Sequence, residues 1–377
     1  MNKYSKLLFV LGGLSSISLP MIAISCNKES SNINNDIKKD EEIAKLTQQL
    51  KDTQSKLNTA ALASSNTWNS VSAEKQVMGR QVYKQATEAF DAIIKQPNVS
   101  LSSVKTTGDT ITVTAPTNNQ FIPVVFMDLD ETVLNNFGYQ NWLVANDKTF
   151  SSETWHDFVS QAISKEIPGA IDFIKHVWSK GGVVMFNSNR NQLTELEASK
   201  TNLTKLGLEA KYMPDWIWWM QGTDKATDQM PYNQTNRNVK VSKEERMHYI
   251  NTHKLTINNV QAQFKVVMRI GDDISDFNDN FSKQNGITSQ QVRDALSNKD
   301  NGYGILFGNT DLSNKSVYYN LSTNKWEKED FAATYILIPG NTSYGSWVKQ
   351  ALGSSAFNVD KANNLLKATG WIYTPSK

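Results

Sequence analysis

The sequence predicts an α/β fold, a Rossmann-like parallel sheet with helices on both faces. Three observations carry that expectation. First, three short apolar runs, Pro123–Met127, Val183–Phe186 and Val266–Ile270, have the length and content of buried strands. Second, helical patterns lie between them, including Ile167–Lys180 and Leu193–Leu206, and strands that alternate with helices pair in parallel. Third, each run ends in a polar cluster, and open parallel sheets bind ligands beyond the carboxyl ends of their strands. The clusters are Asp128-Leu-Asp130-Glu-Thr132, Asn187–Arg190 and Gly271–Asp276.

The N-terminal elements are of another kind. Lys3 and Lys6 precede an apolar run from Leu7 to Ile24, with small residues at its end, which is the layout of a secretory signal over residues 1–25. Gly12, Gly13 and Pro20 make the run a poor membrane helix. The string "AISCNKES" resembles the lipobox of bacterial lipoproteins, with Ala23 where Leu is usual. That resemblance implies a lipid on Cys26, the one cysteine, and a protein held at the extracellular face of the cell membrane. A lipidated Cys26 leaves no thiol for a disulfide or a metal site. Residues 26–65 read as tether and stalk: Asn- and Ser-rich over 27–36, then a polar helix from Asp36 to about Asn58. Ile43, Leu46, Leu50 and Leu57 make only about two heptads, too few for a coiled coil. Residues 66–377 read as the main domain. It opens with an amphipathic helix, Trp68–Lys95, stopped by Pro97, and continues through a β-like stretch over 100–120. Gly181-Gly182 marks a helix stop before a strand. The C-terminal part has β-like runs, "YGILFG" and "ATYILIPG", and a last helix near Val359–Thr369.

Carboxylates packed together repel and raise one another's pKa, and a hard cation relieves that. Asp128, Asp130 and Asp272 offer oxygen ligands of the kind Mg²⁺ takes, with room for water and a phosphate oxygen. A lone D-x-D is weak; D-x-D-x-T straight after an apolar strand, followed by a strand-Ser and a strand-Gly-Asp-Asp, is strong. Ser242 and Glu245 form an S-x-x-E capping box, so a helix begins at Lys243, where the positive dipole end adds to its charge. By residue type alone Lys243 reads as an ordinary surface lysine.

Together these segments resemble the haloacid dehalogenase superfamily, and more closely its class C acid phosphatases, the lipoprotein e family of 5′-nucleotidases. "DLDETVLNN" matches the first motif, "IPGAIDFI" and "NSNR" the second, "KVSKEER" the K-x-x-K-x-x-R segment, and "GDDISDF" the G-D-N-L-x-D-F segment with Asp273 in place of Asn. "ILIPGNTSYGSW" is similar to a late loop of the family. The resemblance implies a haloacid dehalogenase-like core with a small, mostly helical cap, built from elements around 136–168 and the N-terminal helix. It implies that Asp128 is the nucleophile, Asp130 the acid and base, and Ser188 and Lys243 the holders of the phosphoryl oxygens. Mg²⁺ would be held by Asp128, the Asp130 backbone carbonyl and Asp272, with Asp273 and Asp276 behind them. Thr132 is expected to position Asp130 by a hydrogen bond within the loop. Asn136, Asn189 and Arg190 are expected near the substrate, and Trp155 and Tyr344 match positions that sandwich an aromatic base.

The implied activity is a Mg²⁺-dependent acid phosphatase or 5′-nucleotidase acting on nucleoside monophosphates, with nicotinamide mononucleotide a further candidate. The alternative is a surface binding lipoprotein on a catalytically retired fold. The family tends to dimerise, which leaves a homodimer open. With net charge +2 and scattered cations there is no basic stripe of the kind nucleic-acid binding needs. The histidines are dispersed, "DFNDNF" lacks the Gly and Glu of a calcium loop, and no Walker A string occurs. Two stretches, about 213–238 and 252–264, exceed the family norm; Trp216, Trp218 and Trp219 in the first read as packing or partner surface.

Overall fold

The structure, a computed structural model, describes residues 33–117, 119–222, 241–278, 281, 286–320, 322–354, 356–368 and 373. The expected signal segment, Cys26, tether residues 27–32, insertion residues 223–238 and Thr369 lie outside the described residues. The chain forms two compact units, Met1–Thr53 and Gln54–Lys377. Helix α1 (Ile33–Val71) supplies all that is described of the first, and its residues from Gln54 belong to the second. Among the described residues no helix is long and apolar enough to cross a membrane.

The expected helix boundaries at this end are corrected. α1 continues past Asn58 to Val71, and the break falls at Ser72 rather than before Trp68. The Ser72 hydroxyl accepts from Lys75 N at 3.1 Å and caps α2 (Ala73–Ile93). A serine that satisfies an orphan N–H is a sharper boundary than a change in apolar spacing.

The central sheet has the order β11 (Thr334–Leu337), β8 (Val260–Gly271), β3 (Ile122–Met127), β6 (Val183–Phe186), all parallel. Every residue of β3 and β6 is buried, as in strands covered on both faces. β8 is longer than its apolar run because its first four residues, Val260–Gln263, pair back on β7 (Lys254–Ile257). Asn258 and Asn259, both at positive φ, make that two-residue hairpin and account for much of the stretch from 252 to 264. A second hairpin, β1 (Val104–Thr107) with β2 (Thr110–Val113), answers to the β-like region over 100–120.

The chain steps from β3 to β6 on one side and then back past β3 to β8 on the other. Right-handed crossovers in opposite directions place their helices on opposite faces. α5 (Ala170–Ser179) lies on β6 and against α2; after α6 (Gln192–Lys205), α7 (Lys243–Thr252) lies on β8. The reversal leaves a crevice beyond the end of β3. Between β3 and α5, a two-residue ribbon, β4 (Leu134–Asn135) with β5 (Lys165–Glu166), closes the base of an insertion carrying α3 (Phe137–Ala145) and α4 (Ser152–Ser160).

Toward the C-terminus, α8 (Ser289–Ser297) precedes the hairpin of β9 (Lys315–Asn320) and β10 (Lys325–Ala332). α9 (Ser346–Leu352) and α10 (Val359–Ala368) follow β11. "YGILFG", expected as a strand, is a 3-10 turn at Gly304–Leu306 with one bridge from Phe307 to Tyr335. Trp218 and Trp219 belong to the core, at 1% and 0% exposure, and Trp216 packs against it. Trp219 N donates to Phe186 O at 2.8 Å and Trp218 bridges Phe186, so this segment packs along the edge of β6.

Candidate active site

The three strands end level. Met127 is in register with Ile270 and with Phe186. Asp128 N then donates to Ile270 O at 3.0 Å and Asn187 N to Met127 O at 2.7 Å, which carries the ladder one step past the strands. Three polar clusters from distant sequence therefore start from one rim. After Asp128 the chain turns sharply, with Glu131 at φ 55° and its N–H donating to Leu134 O at 2.7 Å.

On the β8 side the site is a cluster of acids around one lysine. Lys243 Nζ donates to Asp128 Oδ1 at 2.6 Å and to Asp276 Oδ1 at 2.9 Å. The capping box sets Lys243 there: Glu245 N donates to Ser242 Oγ, and Ser242 N donates to Glu245 Oε2. Asn187 Nδ2 also holds the Lys243 carbonyl at 3.1 Å, which ties the end of β6 to the start of α7. Gly271 is required at the end of β8, because a Cβ there would land on the Asp276 carboxylate folded back over it.

Among the described residues, Asp128, Asp272 and Asp276 are the one group of three acids whose oxygens lie within 4.8 Å of one another. Burial pushes the Asp128 carboxyl up to about 7, with Asp276 and Asp130 adding repulsion that Lys243 only partly offsets. Burial and the Asp276 and Asp128 charges hold Asp272 well above the usual carboxylate range. Burial also raises Asp276, again against the pull of Lys243. Burial opposes the Lys243 charge, yet Asp128 and Asp276 outweigh it and hold the ammonium above its ordinary value. Lys243 bonds two of these three acids and the Lys75 charge also reaches Asp272, so two ammonium groups face three carboxylates and negative charge is left over. Their all-oxygen donor set fits a hard divalent cation.

Asp130 stands apart from that cluster. Its Oδ1 accepts from Arg190 Nη2 at 2.7 Å, Arg190 Nε at 3.0 Å and Asn136 Nδ2 at 2.7 Å, while Oδ2 has only the longer Arg190 Nε contact at 3.3 Å. The Arg190 side chain is 2% exposed and the Asp130 side chain 23%, so the acid and not the arginine is open to a ligand. Arg190 Nη1 also donates to Ser199 Oγ on α6 at 2.9 Å. Asn136 is likewise buried, donating to Asp130 and accepting from Ser164 Oγ at 2.6 Å. Asn136 and Arg190, expected near the substrate, both direct hydrogen bonds at Asp130.

The hydrogen bond by which Thr132 is expected to position Asp130 is not present among the described residues. The buried hydroxyl of Thr132 has no partner among the described residues, and only the residue's carbonyl is engaged, accepting from Tyr83 OH at 2.7 Å. Ser188 is fully buried, and its Oγ accepts from Arg190 N at 3.1 Å. Asn189 is exposed and accepts from Gln221 Nε2 at 2.7 Å. Asp273 caps the 3-10 turn Ile274–Asp276 and receives Ser346 through both its N–H and its hydroxyl. Trp155 belongs to a ring cluster in the insertion, with centroids 5.3 Å from Tyr139 and 5.7 Å from Phe158, and the Arg190 guanidinium sits 5.7 Å over it. Tyr344 is half-buried in the loop after β11, and among the described residues no ring contact joins it to that cluster.

Two residues went unnamed in the sequence reading. Arg246, fully buried, donates from Nη1 to Asn187 Oδ1, Ser188 O and Trp219 O, so it braces the whole β6 rim. Its spacing three residues after Lys243 was the available signal. Asn341 Nδ2 donates to Asp272 Oδ2 at 2.8 Å, and its place inside "ILIPGNTSYGSW" was the available signal.

The sequence profile of the HAD superfamily, subfamily IIIB (Acid phosphatase), matches residues 40–347. Among solved structures, the chain is similar to the Class C acid phosphatase from Bacillus anthracis, at 19% identity and TM-score 0.55, over 85% of this chain and 100% of that one. The structure of that phosphatase with tungstate bound matches over the same shares at TM-score 0.56. The structural likeness shows a shared fold, and the profile match spans most of the chain. The protein is a member of the HAD superfamily, subfamily IIIB, and its activity is that of an acid phosphatase, a phosphomonoesterase.

Proposed function

We propose that the protein hydrolyses nucleoside monophosphates, and nicotinamide mononucleotide among related esters, through an aspartyl-phosphate formed on Asp128. Support comes from the asymmetry of the two acids after β3: Asp128 bonded to Lys243, Asp130 held through one oxygen by Arg190 and Asn136.

Asp128 Oδ2 attacks phosphorus while Oδ1 stays on Lys243, and the bond from phosphorus to the ester oxygen breaks. Asp130 Oδ2, the oxygen with the weaker grip, gives its proton to the departing alcohol. It then takes a proton from water as that water attacks phosphorus, which frees inorganic phosphate and restores the Asp128 carboxylate. Lys243 and Ser188 donate to the phosphoryl oxygens as charge develops there. Mg²⁺ is the cation this reading assigns: Asp128, Asp272 and the Asp130 carbonyl would hold it, with the Asp276 carboxylate in the same cluster as Asp128 and Asp272. When bound it supplies Lewis-acid polarisation and screens the like charges. Trp155 and Tyr344 are assigned to the base of the nucleotide. Residues 1–25 are assigned as a signal segment and Cys26 as the lipid anchor at the cell surface.

The decisive experiment is phosphate release from a panel of nucleoside monophosphates, nicotinamide mononucleotide and an aryl phosphate, with Mg²⁺ and with chelator. Chelator-sensitive turnover fastest on nucleotides is the expected result. Equal turnover of all esters would remove the nucleotide assignment, and no turnover would favour a binding protein on a retired fold. Tungstate, bound by the Bacillus anthracis phosphatase, is expected to inhibit competitively.

A further inference from the structure

Among the described residues Asp272 accepts a side-chain hydrogen bond from Asn341, and the loop carrying Asn341 is itself tied down from an unexpected direction. Lys75 on α2 is 3% exposed and donates from Nζ to Pro339 O at 2.7 Å. Gly340 runs directly over it: a Cβ there would lie 2.6 Å from Lys75 Nζ and 3.4 Å from Asn69 Oδ1. The end of α1 adds to the same seam. Ser65 Oγ shares hydrogen bonds with Thr342 Oγ1 at 2.6 Å and Ser343 Oγ at 2.8 Å. Asn69 Nδ2 donates to Thr342 Oγ1 at 3.1 Å, and Ser343 Oγ to Asn66 Oδ1 at 2.6 Å. Five consecutive residues, Pro339 to Ser343, thus face helical polar groups on one side and Asp272 on the other. Burying a lysine is costly unless it is hydrogen-bonded, so a buried Lys75 spent on a loop carbonyl calls for a role.

We propose that Lys75 is a positioning residue for the cation site: with the Ser65–Asn69 seam it fixes the Pro339–Ser343 loop, so that Asn341 holds Asp272 turned toward Asp128 and Asp276. The inference rests on the cation-dependent reading above. It makes the N-terminal helical segment, more than 260 residues away in sequence from the loop, part of the machinery. Lys75 also faces the Glu131 and Asp272 carboxylates, and this yields a competing expectation of opposite sign. If Lys75 acted only as a positive charge, its removal would tighten cation binding, because a like charge near the site would be gone.

The test is Mg²⁺ binding by titration calorimetry on the full chain, with Lys75→Met, Asn341→Ala and the double variant. Removing a group behind a metal ligand weakens affinity by about 10-fold or more. Each single variant is expected to raise the dissociation constant by about that factor, and the double variant to match Asn341→Ala alone, since both act through one contact. Multiplying effects, an unchanged constant with only a lower melting temperature, or tighter binding in Lys75→Met would each overturn the proposal. A wild-type protein that binds no divalent cation would overturn the cation-dependent reading itself, which separates the two failures. Should Lys75→Met not fold, Ser65→Ala with Asn69→Ala cuts the same seam from α1 and is read in the same way.

Discussion

The two halves of the site handle negative charge in opposite ways. On the β8 side, Asp128, Asp272 and Asp276 crowd together, Lys243 bonds two of them, and burial raises all three carboxyls. On the β6 side, Asp130 meets a guanidinium and an amide aimed at it, and the chain itself balances the charge. The lesson is that a cluster of acids is informative only with its counter-charges counted. In the proposed mechanism the β8 half takes a cation and a phosphoryl group, and the β6 half holds one Asp130 oxygen still while the other moves a proton.

The comparison breaks most visibly at the two acids. Asp128→Asn is expected to cut turnover by about 10,000-fold or more, with an unchanged circular dichroism spectrum, because the covalent route closes. Asp130→Asn is expected to lose about 100- to 10,000-fold, the usual scale for a positioned acid and base. Steady-state phosphate release measures both; losses of equal size would mean that the halves are not functionally distinct.

A smaller effect separates positioning from binding. Arg190→Lys keeps the charge but loses the two-nitrogen grip on Asp130. It is expected to lower kcat by about 10- to 100-fold with KM within about 3-fold, since the interaction lost is with the acid and not the substrate. A raised KM at constant kcat would restore Arg190 to the substrate-binding role that its motif suggested.

The smallest effect is on stability. A carboxyl whose folded-state pKa lies above its unfolded value binds more protons folded than unfolded, so its contribution is full at low pH and fades as pH rises through the folded value. For Asp128 that window runs from about 4, the unfolded value, to about 7. Asp272 and Asp276 shift in the same direction, as does Glu131, raised by burial to about 8. Without cation, the melting temperature is therefore expected to fall as pH is raised from about 5 to about 8. The stabilisation from added Mg²⁺ should grow over the same range, because protons compete for its ligands. A cation effect independent of pH would show that the acid cluster is not the site bound.

Much of this was legible locally. Short apolar runs marked three of the four parallel strands, and their termini marked the rim, because burial on both faces leaves little choice of residue. The Ser242–Glu245 box placed the start of α7 at Lys243, since a cap is a contact between near neighbours. The roles of Asn136, Arg190 and Thr132 were not legible. Each sits in a motif expected near the substrate, but which acid or ligand it faces depends on how β6, α6 and the α3–α4 insertion pack.

The sequence by itself determined the set of reactive groups, the strands that end in them and the helix start that presents Lys243. These follow from neighbours within a few residues. Tertiary structure decided which charges meet. Lys243 reaches Asp128 across 115 residues, Arg190 reaches Asp130 across 60, and Lys75 reaches Pro339 across 264. The physical reason is that the strength of a charge contact depends on distance and burial, and neither can be read from position along the chain.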